Sequence, residues 1–123
     1  MTRERKIPGP DHPITVAPST ARVVVRLGDT VLADTTSSVE LREAGYPPVH
    51  YLPPDALDPA VLRPTDTTTY CPYKGEASYY TLAVDGGEAI DAVWTYRTPY
   101  PAVEQIAGHL AFYPNKVDIT VEP

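Results

Sequence analysis

The fold class is decided by residues 22–34, which read RVVVRLGDTVLAD. Over residues 22–27 every odd-numbered position is apolar and both arginines fall at even-numbered positions. This alternation predicts a half-buried strand, because successive side chains of a strand point to opposite faces. Gly28-Asp29 supplies a turn, and residues 30–34 return as the second strand of a hairpin.

Similar signals occur along the rest of the chain. Runs rich in β-branched and aromatic residues, bounded by proline, glycine or aspartate, predict six further strands at 38–42, 49–52, 67–70, 78–84, 92–97 and 117–121. Fifteen of the 123 residues are proline, against an average of about 5%. Because proline interrupts helices and central strands, we expect short elements throughout.

Helical periodicity is confined to residues 101–110, where apolar residues recur at spacings of three and four after Pro101. Single helical turns also fit residues 54–57 and 59–62. Helices long enough to connect parallel strands are missing, which disfavours an α/β fold. The sequence therefore predicts a mainly β domain of about eight short strands, a small barrel or a folded sheet, with one short helix near residues 101–110.

The N-terminal segment differs in composition from the rest of the chain. Residues 1–11 are charged and contain proline and glycine without apolar periodicity, so we expect a mobile lead-in followed by one β-rich domain over residues 12–123. This segment lacks the apolar core of a signal peptide, and no stretch approaches the roughly 20 apolar residues that span a bilayer. We expect a cytoplasmic protein that does not enter membranes.

Charge and motifs exclude several functions. The formal net charge of −6 opposes nonspecific nucleic-acid binding, which needs a basic face. The glycine-rich loops that bind nucleotide phosphates and dinucleotides are missing. The three histidines are scattered and the chain has one cysteine, so the paired ligands of a zinc site are absent. We expect neither a metal nor a cofactor.

The densest polar and aromatic cluster is residues 65–75, TDTTTYCPYKG. Lys74 beside Gly75 can present an ammonium and a backbone amide to an anion, and Arg42 can add donors. The alternative is a strand whose threonines suit a pleated surface, followed by a turn. If the strand near Arg42 continues, Arg42 and Glu43 point to opposite faces, so at most one of them enters a given cavity.

Aromatic residues on the predicted strands supply candidate pocket walls. Alternation places Trp94 and Tyr96 on one face, and nine tyrosines against one phenylalanine favour hydroxyls with polar partners over a dry core. Core packing is the alternative for most of these rings. Our leading hypothesis is a small-ligand pocket for an anionic or nucleotide-like molecule, lined by Arg42, Tyr51, Lys74, Tyr79, Trp94 and Tyr96.

Two other functions stay open. The chain can be an enzyme whose catalytic candidates are Cys71 and Lys74, since a thiol beside a cation can act as a nucleophile. It can also be an interaction module that pairs an exposed strand edge or forms a homodimer.

Several short motifs occur in an order typical of domain-of-unknown-function family 427. They are HPI at 12–14, LRE at 41–43, YPPV at 46–49, CPYKG at 71–75, WTY at 94–96 and AFY at 111–113. CPYKG is a specific marker, and the resemblance extends over residues 12–119.

The resemblance implies a small β fold, similar to tent-like folded sheets, and pairing of two such domains in a homodimer. Tent-like folds usually hold zinc, but this chain lacks their paired cysteines, so no metal is carried over. The family also bears a nucleotidyltransferase label. Nucleotidyl transfer usually needs two or three carboxylates around Mg²⁺, and the chain has neither an Asp-x-Asp pair nor a Gly-Ser loop, which disfavours that chemistry.

Overall fold

The computed structural model describes residues 3–123. Within them the chain forms ten β-strands and three short 3₁₀ helices. The strands are β1 (Ile14–Pro18), β2 (Arg22–Leu27), β3 (Thr30–Thr35), β4 (Val39–Glu43), β5 (Val49–Tyr51), β6 (Leu62–Cys71), β7 (Gly75–Val84), β8 (Gly87–Thr95), β9 (Ala111–Phe112) and β10 (Asp118–Glu122). The 3₁₀ helices are Pro54–Ala56, Pro59–Val61 and Pro101–Ile106.

The strands form three antiparallel sheets, ordered β1-β4-β5, β10-β2-β3 and β6-β7-β8-β9. The first and third sheets meet at Leu52 and Leu110, whose backbone amides each donate to the other residue's carbonyl at 2.8 Å. None of the sheets closes on itself within residues 3–123. The predicted mainly β class is therefore confirmed as a sheet-rich fold of three sheets, and the small barrel that the sequence also allowed is not formed by the described residues.

The hairpin of β2 and β3 forms where its alternation predicts it. Gly28, at the turn, has a φ of 59°, a left-handed conformation that glycine adopts without steric cost. Val23 and Val25 are fully buried, and β10 pairs with the other edge of β2. The sequence prediction for this hairpin is confirmed.

The other elements differ from prediction mainly in length and number. Strands β1 and β9 were not predicted, since β1 is bounded by prolines and β9 has two residues. The predicted helix near 101–110 is a 3₁₀ segment over Pro101–Ile106, interrupted at Val103, where φ is −129°. Gly108 then takes a φ of 70°, so the chain turns away before an α-helix can form.

Two clusters of buried apolar side chains stabilise the fold. One lies between the β2-β3 hairpin and strands β7 and β8, around Val25, Leu82 and Val93. The other lies under β4 and β5 and around the third 3₁₀ helix, and it includes Tyr51, Tyr79 and Tyr96. Because the second cluster is rich in tyrosine, polar hydroxyls are placed close to the core.

The N-terminal segment lies against the turn between β6 and β7. The Lys6 amide donates to the carbonyl of Pro72 at 2.9 Å, and the Arg3 and Arg5 guanidinium groups lie over the rings of Tyr70 and Tyr100. Residues 1 and 2 of the predicted lead-in are outside the described part of the chain. The division into a lead-in and one domain stays a prediction.

Candidate functional site

A cavity of about 290 Å³ lies between β4 and β5 on one side and β6, β7 and β8 on the other. Six of the nine tyrosines line it, and we call it the tyrosine cavity. Its tyrosines are Tyr46, Tyr51, Tyr70, Tyr79, Tyr96 and Tyr113.

Lys74 enters the cavity from the tight turn between β6 and β7. The Lys74 amide donates to the carbonyl of Cys71 at 3.2 Å, and its own carbonyl accepts from the Tyr100 amide at 2.9 Å. Gly75 follows with a φ of 110°, a conformation that L side chains rarely adopt. These constraints hold Lys74 inward, and only 8% of the residue is exposed.

The Lys74 ammonium is paired with the carboxylate of Glu43, at the end of β4. Lys74 Nζ lies 2.5 Å from Glu43 Oε1, and His12 Nε2 lies 2.7 Å from Glu43 Oε2. The His12 ring stacks on Tyr73 with centroids 4.1 Å apart. Burial tends to raise the pKa of the Glu43 carboxyl, but hydrogen bonds from Lys74 and His12 hold that pKa below its ordinary value.

Most tyrosine hydroxyls around this pair have protein partners. The Tyr79 hydroxyl lies 2.9 Å from Thr69 Oγ1 and 3.1 Å from the Tyr113 hydroxyl. Trp94 Nε1 donates to the Tyr51 hydroxyl at 3.2 Å. These bonds fix the walls of the cavity, because both members of each pair lie on different strands or loops.

Tyr96 is different. The hydrogen bonds among the cavity side chains leave its hydroxyl without a partner among residues 3–123. Burial raises the pKa of the Tyr96 hydroxyl, and nearby acidic groups such as Tyr51 and Glu43 raise it further. The hydroxyl therefore stays protonated, and it can donate to a molecule in the cavity.

Cys71 lines the same cavity. Its Sγ atom lies 3.8 Å from Lys74 Nζ, whereas Glu43 Oε1 lies 2.5 Å from that nitrogen. The Lys74 ammonium therefore interacts more strongly with the Glu43 carboxylate than with the Cys71 thiol.

The structure brings together most of the residues that the sequence proposed for the site. Those that line the tyrosine cavity are Tyr51, Cys71, Lys74, Tyr79, Trp94 and Tyr96. Arg42 is not among them, because 65% of its side chain is exposed and its Nε atom is paired with Glu40. Arg42 therefore does not share the tyrosine cavity with Lys74.

Glu43 and His12 are the main polar residues that the sequence interpretation did not assign to the site. Alternation along β4 does carry a signal for Glu43, since it shares a face with the buried Leu41 two residues before it. His12 has no comparable signal, because its contact with Glu43 joins residues 31 positions apart.

No cluster of three His, Cys, Asp or Glu residues converges within residues 3–123. No helix in that range is long and apolar enough to cross a membrane.

A family model described as Domain of unknown function (DUF427), which also carries a nucleotidyltransferase label, matches residues 15–123. The chain belongs to this family. The DUF427 match includes every residue that lines the tyrosine cavity, whereas His12 precedes it. No curated protein matches the sequence. The resemblance noted from the short motifs is thus confirmed, and the activity must be argued from the cavity.

Proposed function

We propose that the tyrosine cavity of this DUF427 domain binds a small molecule through one acceptor oxygen, anionic or carbonyl. The observation that carries the proposal is the Tyr96 hydroxyl, a protonated donor without a protein partner in a cavity that also holds the Lys74 ammonium. Among residues 3–123 the fully enclosed side-chain polar atom without a partner is Thr95 Oγ1, so the Tyr96 hydroxyl is accessible from the cavity and can donate to a ligand or to water there.

The charges and size of the cavity narrow the ligand class. Lys74 and Glu43 sum to zero charge, so an anion would gain from directed hydrogen bonds more than from a net positive field. Ligand pockets usually measure about 300–1,000 Å³, and this one lies at the lower end. We therefore favour a short acid or a single-ring compound, such as a nucleobase-sized part of a nucleotide, over a complete nucleoside triphosphate.

The test is isothermal titration calorimetry after a thermal-shift screen against small carboxylic acids, sugar phosphates, nucleobases and nucleotides. A ligand found in this way should bind Tyr96→Phe about 10-fold to 100-fold more weakly, since a hydrogen bond to a charged group contributes about 1.5–3 kcal/mol. Tyr80→Phe is the matched control, because the Tyr80 hydroxyl bonds to Arg97 and lies outside the cavity. The proposal fails if the two variants bind alike or if nothing in the screen binds.

A thiol-dependent enzyme is the second candidate, supported by the position of Cys71 in the cavity wall 3.8 Å from the Lys74 ammonium. If Cys71 is a nucleophile, iodoacetamide should modify it in the folded protein and a cavity ligand should protect it. A thiol that reacts only after urea unfolding would end this possibility. The single cysteine of the chain makes the mass change unambiguous.

A further inference from the structure

A second and larger cavity, of about 700 Å³, lies next to the tyrosine cavity. We call it the apolar groove, because most of its walls are aliphatic, proline and aromatic side chains. Its outer wall is β10, where Ile119 and Val121 share one face, and Val121 is 44% exposed. Its floor includes the buried residues Val23, Val25 and Phe112.

The groove and the tyrosine cavity are neighbours that share part of their walls. Six residues line both of them: Glu43, Tyr46, Pro47, Val49, Cys71 and Trp94. Among the charged groups, Lys74 faces the tyrosine cavity, His12 faces the groove, and Glu43 lies at the boundary between them. A polar compartment and an apolar compartment are therefore adjacent parts of one site.

Both histidine side chains in the groove wall are already paired with other protein groups. His12 Nε2 bonds to Glu43, and His50 Nδ1 lies 3.2 Å from Ser38 Oγ, with its other ring nitrogen 3.7 Å from Glu40 Oε2. A polar molecule would find few open partners there and would lose its hydration. An aliphatic or aromatic group has no hydrogen bonds to water to lose, and its binding buries the apolar surface of the groove.

We propose that the site binds an amphipathic small molecule, with its acidic head in the tyrosine cavity and its aliphatic body in the apolar groove. This inference rests on the proposed function, since the head is the ligand group assigned there to Lys74 and Tyr96. The six shared lining residues place the two compartments side by side, which favours one small molecule that contacts both over a protein segment, which would cover the groove without reaching the ammonium.

The test uses straight-chain carboxylates of four, six, eight and ten carbons, below their micellar concentrations, titrated into the complete chain by calorimetry. Affinity should rise about fourfold for each added methylene until the groove is filled, because each buried methylene contributes about 0.8 kcal/mol. The heat-capacity change on binding should become more negative along the series.

Three variants separate the groove from the cavity. Val121→Asp should weaken octanoate at least tenfold and leave butanoate nearly unchanged, because a charge at the outer wall meets only the longer chain. Val31→Asp, on β3 and similarly exposed at 52%, is the matched control and should change neither. Tyr96→Phe should weaken every carboxylate by the same factor, because all share the head.

Each result has a distinct meaning. If butanoate and decanoate bind equally and Val121→Asp has no effect while Tyr96→Phe still weakens both, the groove inference is overturned and the cavity proposal stands. If affinity follows chain length but ignores Tyr96→Phe, the proposed function fails. Failure of the whole carboxylate series and of the matching 1-alkanols to bind overturns the inference. So does a dimer that Val121→Asp dissociates, since a second copy would then occupy the groove.

Discussion

Removing the Lys74 ammonium should expose how strongly the fold depends on the pair at the centre of the site. In Lys74→Met the side chain keeps an unbranched apolar stem of nearly the same length, but Glu43 loses the partner at 2.5 Å and retains only His12. The two side chains are 10% and 16% exposed, so water replaces the lost partner poorly. Breaking a buried pair costs about 3–5 kcal/mol, and the remaining His12 contact places this variant near 2–3 kcal/mol.

The control is the same replacement, a cation by methionine, in a neighbouring ion pair. Arg42→Met removes the partner of Glu40 at the surface, where exposed pairs contribute about 1 kcal/mol or less. Urea unfolding at pH 7, followed by the fluorescence of Trp94, gives the free energy of unfolding for both variants and the parent. The Lys74 variant should be clearly less stable than the Arg42 variant.

The pH dependence gives an independent check. The pKa of the Glu43 carboxyl is below its ordinary value of 4.5 in the folded protein, so its contribution to stability is present above 4.5 and is lost as pH falls through the folded pKa. A protonated Glu43 carries no charge and does not require an ion-pair partner. The loss of unfolding free energy caused by Lys74→Met should therefore be smaller at pH 4 than at pH 7. A penalty no larger than that of Arg42→Met, or one that is equal at both pH values, would refute the reasoning.

Three other perturbations test separate parts of the structure. Asp91→Asn should lower the urea midpoint more than Asp85→Asn does, since the Asp91 carboxylate accepts hydrogen bonds from two threonine hydroxyls at 2.7 Å. These bonds lower the pKa of Asp91, so the difference in midpoint between the two variants should narrow in acid. Gly75→Ala should cost about 1–3 kcal/mol of unfolding free energy through backbone strain, whereas Gly45→Ala, in open space and without a positive φ, should cost less. Trp94 is the single tryptophan, so a cavity ligand should shift its emission maximum, and an unchanged spectrum at saturation would place the ligand elsewhere.

The sequence predicted the hairpins because local alternation and turn residues specify them without help from distant contacts. The pair of β2 and β3 has Gly28 at its turn, and the pair of β7 and β8 has Gly86. Strand β9 was not predicted because two residues are too few to show an alternating pattern, and its position depends on pairing with β8. Similarly, the helix near 101–110 was predicted from spacing alone, although prolines and the tertiary contacts of Val103 and Ile106 favour a 3₁₀ path.

The site was predicted in part for the same reason. Lys74 and the aromatic residues stand out as residue types, and Trp94 and Tyr96 share a face through simple alternation. Alternation also required Arg42 and Glu43 to point apart, but the choice between them depends on which face of β4 packs on the core. The position of His12 in the wall of the apolar groove depends on its contact with Glu43, which joins distant parts of the chain and which no local pattern encodes.

The junction between the first and third sheets bears on how a molecule reaches the apolar groove. Leu52 and Leu110 join the first and third sheets by one reciprocal pair of backbone hydrogen bonds, and Leu52 also lines the apolar groove. A junction with one pair of backbone hydrogen bonds can open locally while the rest of the domain stays folded. We expect the amide protons of Leu52 and Leu110 to exchange with solvent deuterium faster than those within β7. A bound ligand should slow that exchange, so the exchange rates of the two leucine amides would report how often the junction opens for ligand entry and release.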